Sequence, residues 1–154
     1  MRHRKTVAKL NRTASHRKAM LSNLATQLFE HKKIRTTQAK AKATRSVAER
    51  LITFAKKGDL ASRRQVLKTV RDKKVVKELF EEVAPTFENR NGGYTRIVKL
   101  GKRLGDGAEL AFLELIGYEG VLKDKKEKAA KKEAKKKKAA KEKTEEVVDE
   151  TSEE

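Results

Sequence analysis

Sixteen of the first 57 residues are Lys or Arg, and only Glu30 and Glu49 among them are acidic, a net of +14. Positive charge this dense repels itself in a compact fold, so this third of the chain needs a polyanion beside it or must stay extended. The rest makes no such demand: residues 58–122 hold 12 basic and 10 acidic side chains, and residues 123–154 again hold 12 and 10. Nucleic acid is the partner this pattern favours, because each phosphate neutralised by Lys or Arg releases condensed counterions. An anionic membrane surface competes for the same charge, but no apolar run is long enough to span a bilayer. Met1-Arg2-His3-Arg4-Lys5 has no apolar stretch behind it, so no secretory signal is expected. The chain has no cysteine, which excludes a disulfide framework, a thiolate nucleophile and a thiolate metal site. A cytoplasmic protein is the simplest expectation.

Residues 1–14, with Arg2, His3, Arg4, Lys5, Lys9 and Arg12, show no periodicity and read as an extended arm. Such an arm reaches about 45 Å at roughly 3.3 Å per residue; a frayed, solvated terminus is the bland alternative. A globular domain is expected over 15–122. Its first helix starts near Thr13 or Ser15 as N-cap, with Met20, Leu21, Leu24, Ala25 and Leu28 on its apolar stripe. His16, Arg17 and Lys18 fall in its first turns, where cations oppose the helix dipole unless a phosphate backbone lies near. Beyond Lys32 and Lys33, the β-branched run Ile34-Arg35-Thr36-Thr37 predicts a short strand. Thr37 then caps a second helix with Ala39, Ala43, Val47, Leu51, Phe54 and Ala55 as its buried stripe. Lys40, Lys42, Arg45 and Arg50 lie on the other face, and Gly58 ends it.

Asp59 and Asp72 look like caps of two shorter helices, from Leu60 to about Thr69 and on to Ala84, where Pro85 is expected to stop the chain's helical run. Asn89-Arg90-Asn91-Gly92-Gly93 reads as a turn. Tyr94–Leu100, with Arg96, and Ala108–Ile116 read as strands of a hairpin, joined by a long loop carrying Lys102 and Arg103. Three strands are too few to stand alone, so the fold class is α+β: a small three-stranded mixed or antiparallel sheet covered by about four helices. From Lys123 the composition is Lys, Ala and Glu, which predicts a disordered tail over 123–154. Within it Lys123–Lys143 holds 12 Lys against four acids, and Thr144–Glu154 holds six acids and no base. Either the acidic end shields the basic block from stray RNA or the tail is a passive extension.

Chemistry finds little to use. His3, His16 and His31 lack paired ligands at metal-binding spacing, so phosphate contact or base stacking suits His3 and His16 better than zinc. The loop Gly101–Gly107 resembles a phosphate cradle only superficially, since it lacks the GK[ST] ending and the strand-to-helix context. It is a flexible hairpin loop or, through Lys102 and Arg103, an RNA-backbone contact. Ser15, His16 and Glu30 form no recognisable nucleophile motif, so no enzyme, cofactor or small-molecule substrate is expected. Phe29, Phe54, Phe80 and Phe112 fall on apolar stripes and should be buried; no aromatic platform for reading single strands is apparent. A DNA-binding protein would share the charge, but no recognition-helix unit or zipper is present. A protein-interaction adaptor fits the tail better than the body.

The opening Met1–Lys5 with Leu10-Asn11-Arg12 and Ser15–Ala25, the segment Ile34-Arg35-Thr36-Thr37-Gln38-Ala39-Lys40-Ala41-Lys42, and Gly93–Gly101 with Gly105–Ala108 and Ala111–Leu115 together resemble bacterial large-subunit ribosomal protein L-seventeen. The match runs from Met1 to about Tyr118. It implies a structural, non-enzymatic constituent of the large ribosomal subunit in translation, with rRNA and neighbouring ribosomal proteins, one of them small, as partners, near the polypeptide exit. The family commonly stops near Tyr118, so it implies nothing about 123–154. The RNA-binding candidates are the cations named above, from Arg2 to Arg50, together with His3, His16, Arg90, Arg96, Lys102 and Arg103.

Overall fold

Helix α1 (Ala14–His31) forms where the sequence turns from purely basic to amphipathic, burying Ala25, Leu28 and Phe29 and half-covering Met20, Leu21 and Leu24. The computed structural model describes residues 8–118. The expectations for 1–7, including Arg2, His3, Arg4 and Lys5, and for the 123–154 tail lie outside the described residues. Ala8–Thr13 does not run as extended chain. Leu10 and Asn11 have φ of 54° and 49°, and the Arg12 N–H donates to the Lys9 carbonyl at 3.2 Å, closing a turn. The Arg12 side chain then folds onto α1, its Nε 3.1 Å from Met20 Sδ.

Lys32, at φ +62°, flips the chain out of α1 into strand β1 (Lys33–Thr37), and its carbonyl accepts from Leu115 N–H at 2.9 Å. Thr37 precedes helix α2 (Gln38–Lys57), which Gly58 ends in the left-handed region at φ +72° with its N–H on the Ala55 carbonyl, the geometry that favours glycine there. The buried face of α2 is Ala41, Thr44, Ala48, Leu51, Ile52 and Ala55. This corrects the expected stripe: Ala39 is exposed, and Ala43, Val47 and Phe54 are half-buried. The apolar arc of α2 is so wide that periodicity leaves its centre open. Packing centres it on alanines seven residues apart, where the absence of bulk lets neighbouring elements approach closely.

Asp59 caps α3 (Leu60–Leu67) by accepting from Ser62 N–H at 3.1 Å, and Asp72 caps α4 (Lys73–Glu78) by accepting from Lys74 N–H at 2.8 Å. Hydrogen bonding by Ser62 holds the Asp59 carboxyl below its ordinary range. α4 does not stop before Pro85. It widens into a π-helical turn, Leu79–Val83, and continues as α5 (Ala84–Thr86). The extra residue places Pro85 in a last turn where its missing N–H is tolerated, and the Glu82 carbonyl is met by the hydroxyls of Thr86 at 2.9 Å and Tyr118 at 3.1 Å.

Strands β2 (Thr95–Lys102) and β3 (Glu109–Leu115) form the expected hairpin, and the sheet is antiparallel throughout with order β1-β3-β2. Leu113 and Leu115 face the helices and join Leu28, Phe29, Ile52, Val66, Val70, Leu79 and Val83 in one core. Phe87 and Tyr94 close one end with ring centroids 5.2 Å apart and planes tilted by 59°. Of the expected buried aromatics, Phe29 is fully enclosed, while Phe54, Phe80 and Phe112 are half-exposed.

Candidate nucleic-acid interface

The segment after α3 is tied to α1 by the Ser22 hydroxyl, which donates to the Thr69 carbonyl. This places Lys68 and Arg71 across from α1 and α2, and an open groove of about 1690 Å³ runs between them. Lys18 from α1, Lys42 and Arg50 from α2, and Lys68 and Arg71 line it, with Leu21, Ala43, Val47, Leu51 and Phe54. Only Asp72 and Glu109 are acidic along this lining, and none of the five cations has an acidic partner among the described residues. Five cations against two acids around an apolar shelf leave a net positive trough, whose rim can take phosphates while Val47 and Phe54 offer apolar contact to sugars. The sequence reading missed Lys68 and Arg71, because their part in the groove comes from a tertiary tie. The half-exposed apolar stripe of α2 was the available signal.

Near the start of α1, Arg12 Nη1 lies 3.1 Å from His16 Nε2, and Arg17 Nη1 reaches the Arg12 carbonyl at 3.4 Å. His16 and Lys9 are exposed, and Arg12 and Arg17 half-buried. These four form a second basic cluster, with Lys18 one residue further on. Lys40 is half-buried at the start of α2. Arg45 hydrogen-bonds Glu49 Oε1 at 3.1 Å, and the same oxygen accepts from the Thr95 hydroxyl at 3.2 Å. Arg90 is exposed, its carbonyl taken by Lys56 Nζ at 2.6 Å.

Other expected contacts are placed elsewhere. Lys32 is only 4% exposed, its Nζ 3.5 Å from Glu78 and 3.6 Å from Glu82, with the Tyr118 ring centroid at 5.5 Å. Its role is to hold the α1–β1 corner onto the α4–π turn, which withdraws it from any surface. Lys33, Arg35 and Arg96 stand on the sheet face turned away from the helices, where Glu114 pairs with Lys33 at 3.0 Å and Arg96 at 3.8 Å. Arg103 is bound to Asp106 through two nitrogens, the Nε contact at 2.9 Å. That pairing, with the Ala108 N–H, holds the Asp106 carboxyl well below the usual carboxylate range and the Arg103 guanidinium above its own. Lys102 is exposed beside it.

Among the described residues no group of three or more His, Asp or Glu is placed to hold a metal ion, and no helix is long and apolar enough to cross a membrane. The profile of the family described as Ribosomal protein L17 matches residues 20–116. The large ribosomal subunit protein bL17 of Geobacter metallireducens is 52% identical over 131 residues, covering 85% of this chain and 74% of its own length. Proteins of the same description from Desulforapulum autotrophicum (55% identical over 116 residues, 75% of this chain and 97% of that one) and Rubrobacter xylanophilus (55% over 118 residues, 77% and 98%) are similarly close.

Proposed function

The chain belongs to the bacterial ribosomal protein L17 family, and from that premise we propose that it binds large-subunit rRNA along the groove between α1, α2 and the α3–α4 segment. It is a structural, non-enzymatic constituent of the large ribosomal subunit, acting in translation on the cytoplasmic ribosome. Neighbouring ribosomal proteins are its other partners. Recognition rests on phosphate position and RNA shape rather than base reading, since cations and not stacking aromatics dominate the groove. The observation that carries this reading is the clustering of Lys18, Lys42, Arg50, Lys68 and Arg71 without acidic partners, while Lys32, Lys33, Arg45 and Arg103 are neutralised within the chain. Arg12, His16 and Arg17 add a further basic contact at the start of α1.

The test is cosedimentation of the full chain with large subunits through a salt wash, followed by chemical footprinting of the rRNA. Retention is expected, with protected riboses that become reactive again when Lys42 and Arg50 are replaced. A chain washed off by moderate salt, or protections indifferent to those two residues, overturns the reading.

A further inference from the structure

The sheet face turned away from the helices carries a second apolar cluster. Leu110 is buried yet lies outside the core, as does the half-buried Phe112. Across the β2–β3 ladder Val98 stands opposite Phe112. The register shift between Lys99 and Gly101 then leaves Leu100 as an extra residue beside Leu110. Val98 and Leu100 are 38% and 42% exposed, and at the hairpin tip Leu104 is 99% exposed. Three of the five exposed large apolar side chains among the described residues thus belong to this one hairpin.

The tip is rigid. Arg103 N–H donates to the Ala108 carbonyl at 2.9 Å, Gly107 N–H to the Arg103 carbonyl at 3.0 Å, and Ala108 N–H to Asp106 Oδ1 at 3.2 Å. The Arg103–Asp106 pair clamps the loop from the side. An ordered loop that holds a leucine wholly in water leaves apolar area uncovered that contact with a partner would bury.

We propose that this hairpin is the chain's protein-docking surface, with Leu104 inserted into an apolar pocket of a neighbouring protein of the large subunit and Leu100 and Val98 flanking it. A protein is favoured over RNA by the charge arrangement. Lys33 and Arg96 share Glu114 and Arg103 pairs with Asp106, which draws the cations of this face, Arg35 apart, to acids of the chain itself rather than to phosphate. The Lys33 ammonium sits 4.3 Å from the Phe112 ring centroid, on the ring face a base would need for stacking. The register shift interrupts the outer edge of β2, so the partner takes side chains rather than adding a strand. Arg35 stands beside Phe112 at the border of the patch, which fits a pocket with an acidic group on its rim.

This inference rests on the chain's place in the large subunit, so sedimentation of the unaltered chain with subunits is checked first; if that fails, both readings fall. A benzophenone photo-crosslinking residue is then placed at position 104 of the full chain, and at position 42 as an RNA-facing comparison. Irradiated subunits are expected to give a protease-sensitive adduct with another protein from position 104 and an RNA adduct from position 42. An RNA adduct, an adduct with a second copy of this chain, or no adduct from position 104 overturns the proposal while leaving the groove reading intact. In parallel, Leu104→Ser competing with the parent chain for subunits is expected to lose at least about tenfold in occupancy, as loss of an interface anchor does, with an unchanged melting temperature. Equal occupancy also overturns it.

Discussion

Replacing Lys42 and Arg50 together with alanine removes two of the five groove cations without touching the core, since both are exposed on the surface of α2. Alanine is at least as good a helix former as either, so the helix should persist. If each cation neutralises one phosphate, the slope of log affinity against log salt becomes shallower by about 1.4 to 1.8 units, from coefficients near 0.7 for single strands and 0.9 for duplex. Between 50 and 200 mM salt the parent chain therefore loses about 7 to 12 times more affinity than the variant. The deficit of the variant should be largest at low salt and close as salt rises. Titrating the full chain against large-subunit rRNA across that range measures it, with Lys77→Ala as the control, because Lys77 lies on α4 and pairs with Glu81 at 3.8 Å. Parallel lines for the parent and the double variant would refute the groove as a phosphate-binding surface.

Leu28→Ala, at a fully enclosed site, should lose about 2.4 kcal/mol from three carbons at about 0.8 each, rising to about 3–4 kcal/mol with the void left behind. Leu24→Ala, half-buried on the same helix, should lose clearly less by denaturant unfolding; equal losses would show that burial on α1 is misassigned. Asp106 should stay ionised, by NMR titration, where a free Asp, near pH 3.9, is half protonated. Because its folded pKa is depressed, its hold on the loop is present above that range and is lost only as pH falls through the lower folded value. Arg103→Gln should move the midpoint back up, and an unmoved midpoint would discount the Arg103 clamp. Shielding of the Lys-rich block by the acidic end predicts tighter binding to unrelated RNA at low salt once Thr144–Glu154 is removed; unchanged affinity makes that segment a passive extension.

Part of the local chemistry was legible in the sequence, though neither Thr13 nor Thr37 makes the side-chain cap expected near it. Gly58, Asp59 and Asp72 mark helix ends because capping depends on one side chain and the next turn of backbone. The β-branched run before Thr37 and the alternation after Tyr94 likewise specify strands, and the density of Lys and Arg over residues 1–57 specifies a polyanionic partner. Each of these is a property of neighbours in the chain.

Tertiary structure decided everything that depends on which surfaces meet. It rotated the buried face of α2 toward Ala41, Thr44 and Ala48, carried α4 through a π turn past Pro85, and ordered the sheet β1-β3-β2. It also sorted the cations, which are indistinguishable as letters. Lys32 and Lys33 are adjacent, yet one is enclosed between Glu78 and Glu82 and the other lies against Phe112 and Glu114 on the far side of the sheet. Lys68 and Arg71 join Lys42 and Arg50 at one groove because Val66 and Val70 pack their segment into the core and Ser22 ties Thr69 to α1. The physical reason is range: capping and strand preference act over a few residues, whereas the pairing or exposure of a charge depends on acids remote in sequence that folding brings within a few ångströms.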